Sequence, residues 1–229
     1  MLYLLNIFLR QMKLIVSATE HEVKPLLRGK QVELGSLVSL SPEVSLLVTG
    51  VGAAATSFHL AKALFTLPIT QVVNVGVAGA YDKSLEIGSV VTIVCDTFAD
   101  YGADDNGSFL SQFDLGLANP NGFPFINGWL RWDWSNTFPA ANHYPLAKGI
   151  TVAKASGSYA LIEQIKKLYT PQVETMESAA VFYACLQVKV PFLCLRSISN
   201  WVEPRNRERW DMSLAISSLT KAINGVLFF

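Results

Sequence analysis

QVVNVGVAGA (71–80) is the stretch that decides the fold. Val72, Val73 and Val75 leave almost no polar face, so the run reads as a strand buried on both sides. The GVAG that follows (76–79) places glycines where backbone N–H groups either approach a ligand closely or turn sharply. KLIVSA (13–18), SLLVTG (45–50), GSVVTIV (88–94), GITVAK (149–154) and FLCLRSIS (192–199) are of the same kind. Between them lie helical patterns at 53–65, 156–169, 177–188 and 209–229. Strands alternating with helices imply an α/β protein, a three-layer α/β/α arrangement around a mixed, mostly parallel central sheet. A single domain is expected over 12–229. MLYLLNIFLRQ (1–11) precedes it as an extra strand or arm; it lacks a basic n-region and a small-residue cleavage site, and it is too short to span a bilayer.

The composition narrows the function. Among 229 residues, 51% are hydrophobic, 16% are charged, and Lys+Arg balances Asp+Glu at 18 each. That balance excludes a basic nucleic-acid footprint. The low charge density predicts subunit contacts, hence a homo-oligomer, a dimer or higher. Cys95, Cys185 and Cys194 sit in apolar runs and read as buried thiols in a reducing cytoplasm. His21, His59 and His143 show no metal-ligand spacing, so no metal is expected. GVAG is neither a P-loop nor a complete dinucleotide fingerprint. Residues 100–147 resist the alternating pattern: they mix Gly, Pro, Asn and Asp with Phe123, Phe125, Trp129, Trp132, Trp134 and Phe138. So aromatic a segment is no disordered linker. It reads either as packing on the sheet or a neighbour, or as partly covering a substrate.

Three polar positions stand at the mouths of expected strands. In an open α/β sheet ligands collect outside the carboxyl ends of strands, so distant positions meet there. Glu22 follows LIVSA; it reads as a solvated acid favoured in the first turn of a helix or as a general acid or base. Met176-Glu177 opens a helix, with Glu177 either a helix-terminal acid or a carboxylate whose two oxygens accept from two adjacent sugar hydroxyls. Met176 is core filler or a flexible apolar face for the sugar. Asn200 ends PFLCLRSISN and is a turn residue or a paired donor and acceptor for a purine edge.

Together, SATEHEV, VTGVGAA, VNVGVAGA, TMESAAV and PFLCLRSISN resemble the purine nucleoside phosphorylase/nucleosidase superfamily, from residue 13 onward. Within it the chain looks most like the futalosine hydrolases, relatives of the methylthioadenosine/S-adenosylhomocysteine nucleosidases. The resemblance implies a nucleoside phosphorylase-like fold and a small-molecule nucleoside as the partner, with no membrane or nucleic acid. It places Glu22 as the acid that activates water, Met176 and Glu177 on the ribose and Asn200 at the purine. Gly76, Val77 and Ala78, with Ser156 and Gly157, line the base or water site. Asn74 and Val77 fall where phosphorylases hold phosphate by Arg or by a hydroxyl, and neither group is present, so hydrolysis is expected over phosphorolysis. The implied reaction releases hypoxanthine from futalosine, a step toward menaquinone, without a cofactor. Among Arg205, Arg207 and Arg209, Arg207 is the candidate for the carboxylate of that substrate. The alternatives are cleavage of methylthioadenosine, S-adenosylhomocysteine or aminofutalosine, and a non-catalytic nucleoside-binding protein of the same fold.

Overall fold

Alternate side chains of the central strands enter two separate cores. In β1 (Met12–Ser17), Leu14 and Val16 join one cluster and Ile15 the other. β4 (Ile69–Ala80) divides Val72 from Val73 and Val75 in the same way, and β12 (Phe192–Trp201) divides Phe192 and Cys194 from Leu193 and Leu195. Two-sided burial is why these runs show no polar alternation. α2 (Ala53–Thr66) and α4 (Ser178–Val188) cover one core through Leu60, Ala63, Phe182 and Cys185. α1 (Glu20–Leu27) and α5 (Met212–Leu227) cover the other through Val23, Leu26, Leu219 and Ile223. The layers are therefore helix, sheet, helix. The structure, a computed structural model, describes residues 12–227, so the extension expected at 1–11 lies outside the described residues.

The remaining strands are β2 (Leu37–Ser39), β3 (Val44–Val48), β5 (Val90–Asp96), β6 (Gly102–Asp105), β7 (Ser108–Ser111), β8 (Phe125–Ile126), β9 (Trp129–Arg131), β10 (Leu146–Thr151) and β11 (Val173–Thr175). α3 (Tyr159–Tyr169) connects β10 to β11. The main sheet runs β2-β3-β1-β4-β11-β10-β5-β9-β8, and β12 joins both β4 and β5. Pairs around β1 and β4 are parallel, whereas β11–β4 and β12–β5 are antiparallel, so the sheet is mixed. It is not open. β4, β12, β5, β10 and β11 pair in a ring, so the strand ends that carry the polar residues surround one mouth.

Two local expectations change. GVAG is not a turn: β4 continues to Ala80 because β12 pairs along one edge and β11 takes Gly79–Ala80 on the other. Its glycines serve close approach, since a Cβ at Gly76 would stand 2.8 Å from Glu22 Oε1. The aromatic stretch is built of two hairpins, β6–β7 and β8–β9, the second extending the sheet at β5. Trp132 stacks on Phe192 at 5.6 Å between ring centres, and Trp134 and Phe138 are buried in the core under α1 and α5. No helix among the described residues is long and apolar enough to cross a membrane.

Candidate active site

Helix capping pins Glu22. Thr19 caps α1 in an extended conformation, and Glu22, third in the helix, returns the bond: the Thr19 N–H donates to Glu22 Oε2 at 3.0 Å. Thr19 Oγ1 and Ser17 Oγ donate to the same oxygen at 2.8 and 3.2 Å. Oε1 turns away and accepts the Val77 N–H at 3.0 Å. That leaves Oε1 one further lone pair. Glu22 does sit in the first turn of α1, but it is not a solvated acid: the cap fixes a carboxylate that is only 7% exposed, at the mouth of β1.

Glu177 stands at the cap of α4 but does not cap it. Thr175 Oγ1 accepts the Ser178 N–H at 3.2 Å instead. Glu177 reaches across to the loop before α2, where its Oε1 accepts the Gly52 N–H at 2.8 Å. Burial pushes its carboxyl above the usual range; the Gly52 N–H and the Arg196 guanidinium pull it down, and the Glu22 charge pushes it up. A cleft of about 250 Å³ joins the two acids with Met176, Val77, Ala78, Ser156, Gly157 and Asn200. Asn200 Oδ1 accepts from Ser199 Oγ at 2.8 Å, and Nδ2 donates to the Trp201 carbonyl at 3.0 Å. Gly76 lies under Glu22 and not in the cleft wall.

Arg207 is not brought to the cleft. The Asn206 side chain accepts the Glu208 N–H and starts a short 3-10 turn, Arg207–Arg209, that leaves Arg207 exposed. Arg209 pairs with Glu203 at 3.2 Å. Arg205 is the arginine in the cleft wall, its guanidinium 5.6 Å from the Trp210 ring centre. No residue of the aromatic stretch 100–147 lines the cleft.

Residues that sequence reasoning passed over lie beneath and beside this site. Arg196 is 2% exposed and donates to the Leu195 carbonyl and to Asn74 Oδ1. Asn74 Nδ2 in turn donates to the Val16 carbonyl at 3.0 Å, so Asn74 is a strut between β1 and β12. Arg196 Nε and Glu22 Oε1 lie 3.6 and 2.8 Å from the point a Gly76 Cβ would occupy, so the missing side chain lets both the guanidinium and the acid approach β4 there. The available signal was a lone cation inside the apolar run FLCLRSIS. Glu174, half hidden between valine and threonine in β11, also lines the cleft.

A buried polar chain supports α4. Thr151 Oγ1 donates to Asp96 Oδ1 at 2.9 Å and accepts the Ala179 N–H at 2.8 Å. Asp96 is wholly buried, and its Oδ2 has no hydrogen-bond partner. Burial pushes its carboxyl up to about 8, against the pull of Thr151, Arg196 and the Thr97 N–H. The folded value lies above that of the unfolded chain, so this group's contribution to stability is complete below about pH 4 and is lost as pH rises through about 8. Asp96→Asn should flatten that decline, read as melting temperature against pH; equal slopes for the two proteins would contradict it.

Comparison with known proteins gives a consistent family. A family model described as the phosphorylase superfamily matches residues 9–226. The futalosine hydrolase of Streptomyces coelicolor is 33% identical over 186 residues, 78% of this chain and 76% of that protein. A 5'-methylthioadenosine/S-adenosylhomocysteine nucleosidase of Colwellia psychrerythraea is 24% identical, covering 80% and 78%. The fold matches the native structure of futalosine hydrolase from Helicobacter pylori strain 26695, with a TM-score of 0.75 and 18% identity, over 96% of this chain and 98% of that one. It also matches a Streptococcus pneumoniae MTA/SAH nucleosidase in complex with 8-aminoadenine, with a TM-score of 0.77 and 20% identity, over 95% and 99%. Among the described residues no group of His, Cys, Asp and Glu is placed to hold a metal ion.

Proposed function

The chain belongs to the phosphorylase superfamily, and from that membership we propose that it hydrolyses the N-glycosidic bond of futalosine, releasing hypoxanthine. The observation that carries the reading is the pair of carboxylates, Glu22 and Glu177, pinned by separate backbone donors on one nucleoside-sized cleft. Glu22 Oε1 accepts a proton from water attacking C1′. Its lone pair is available because Oε2 takes the capping donors. Glu177 accepts from the ribose 2′- and 3′-hydroxyls, and its charge favours the oxocarbenium-like sugar. Met176 supplies the apolar contact to that sugar, and Asn200 donates to O6 and accepts from N7–H of the leaving base.

Water is favoured over phosphate by two side chains. Asn74 is committed to Val16 and Arg196, and the Val77 side chain has no hydroxyl. At these two positions a phosphate would find neither a guanidinium nor a hydroxyl to hold it. The futalosine hydrolase relatives, at 28–33% identity, support the choice of nucleoside over the methylthioadenosine nucleosidases at 24–25%. At the outer end of the cleft, Arg205 replaces Arg207 as the partner for a substrate carboxylate, with Trp210 beside it. This reading places the protein in the cytoplasm, in menaquinone biosynthesis through futalosine. It acts as a homo-oligomer, an inference supported by Phe58 and Phe65, seven residues apart on α2 and 65% and 79% exposed. Chromatography of products from futalosine, aminofutalosine, methylthioadenosine and inosine tests the assignment. Hypoxanthine from futalosine is expected as the fastest release; faster adenine release from methylthioadenosine would reassign the substrate.

A further inference from the structure

Glu174 and Asn200 are both register partners of Gly79, one on β11 and one on β12. β4 runs between them, so the two side chains share a face of the sheet with their backbones roughly 10 Å apart, two strand spacings. Gly79 has no side chain, which lets its neighbours close over it: a Cβ there would stand 2.9 Å from Val202 Cγ2 and 3.3 Å from Asn200 Nδ2. Both residues line the cleft. The cleft wall therefore carries a carboxylate on β11 and a carboxamide on β12, with Val202 as the apolar surface beside them.

The carboxylate end is built with care. Tyr81, two residues beyond Gly79 and so on the same face, donates its hydroxyl to Glu174 Oε2 at 2.7 Å. Ser156 Oγ donates to Oε2 at 2.6 Å, and the Ser156 N–H to Oε1 at 2.9 Å. Glu174 is 7% exposed, and among the described residues no ion pair includes it. Three neutral donors fill three of its four acceptor positions, which leaves one on Oε1. An acceptor held this way, without a cation, suits a ligand N–H and opposes a ligand lone pair.

We propose that Glu174 selects the base, its Oε1 accepting the N1–H of a 6-oxopurine while Asn200 serves O6 and N7. Adenine presents a lone pair at N1, which faces the carboxylate unfavourably. The proposal rests on the reading of the cleft as a purine nucleoside site and adds to it a residue that excludes 6-aminopurines.

Calorimetric titration of free hypoxanthine and free adenine into the wild type, Glu174→Ala and Glu174→Gln tests this, alongside nucleoside cleavage by the wild type. The wild type is expected to favour hypoxanthine by about 10²-fold or more, and Glu174→Ala to lose that preference. Glu174→Gln keeps a carbonyl for the Ser156 N–H but loses the charge, so its preference should shrink about 10-fold; this variant carries the test alone if the alanine protein does not fold. A Glu174 that merely held the Ser156 loop would weaken both bases equally, and an unchanged ratio in either variant would overturn the proposal. So would equal binding of the two bases by the wild type. A wild type that selects hypoxanthine yet cleaves no nucleoside would sink the hydrolytic reading and leave the selector standing.

Discussion

Glu22→Gln is expected to lower kcat by about 10²–10⁴-fold with little change in substrate affinity, the range that removal of a general base produces. The structure says why the loss should fall on the chemical step. A glutamine oxygen at the Oε1 position keeps the Val77 N–H, so α1 stays against β4. The amide NH₂ then occupies the Oε2 position and faces the Thr19 N–H, a donor against a donor. That lost cap costs about 1 kcal/mol, too little to unfold a domain of this size. The variant should therefore fold, bind nucleoside and turn it over slowly. Single-turnover base release with a parallel thermal melt checks this. A folded Glu22→Gln protein with undiminished kcat would remove Glu22 from the chemistry, as a non-catalytic binding protein would require.

Glu177→Gln should lower kcat/KM by about 10²–10³-fold, by analogy with the loss of one preorganised electrostatic contact to a transition state. An amide oxygen preserves the Gly52 N–H bond, so the turn before α4 is held while the negative charge is lost. The neutral NH₂ donates where the carboxylate accepted, and one ribose hydroxyl loses its partner. The pH profile offers a second reading. Glu177 must be ionised to accept from both hydroxyls, and burial pushes its carboxyl up. Activity should therefore fall on the acid side at a pH above the ordinary carboxylate range, as the ionised fraction declines. That limb should vanish in Glu177→Gln. An acid limb identical in wild type and variant would assign it to another group.

The fold was legible because two-sided burial leaves a plain mark. β1, β4 and β12 carry continuous apolar runs, and each divides its side chains between two cores. The ring closure was not legible, since it depends on β4 accepting β1 and β11 along one edge and β12 on the other, a long-range pairing no local pattern encodes. Glu22, Glu177 and Asn200 stood out as polar residues at strand mouths, with Met176 noted beside Glu177, and the structure brings all four to one cleft. Arg196 and Glu174 were passed over because each sits inside a strand, where sequence shows a charge but not the buried network that satisfies it. Arg207 was preferred to Arg205 because adjacent arginines look alike until the Asn206 cap turns one outward.

The most direct measurement is base release from futalosine in phosphate-free buffer, followed by chromatography of both products. A cleft that holds a nucleoside between Glu22, Glu177 and Asn200, with no guanidinium at position 74 and no hydroxyl at position 77 for phosphate, should yield hypoxanthine and a free reducing sugar in equal amounts, at a rate unaffected by added phosphate. Base release that requires phosphate, or a sugar 1-phosphate among the products, would contradict it.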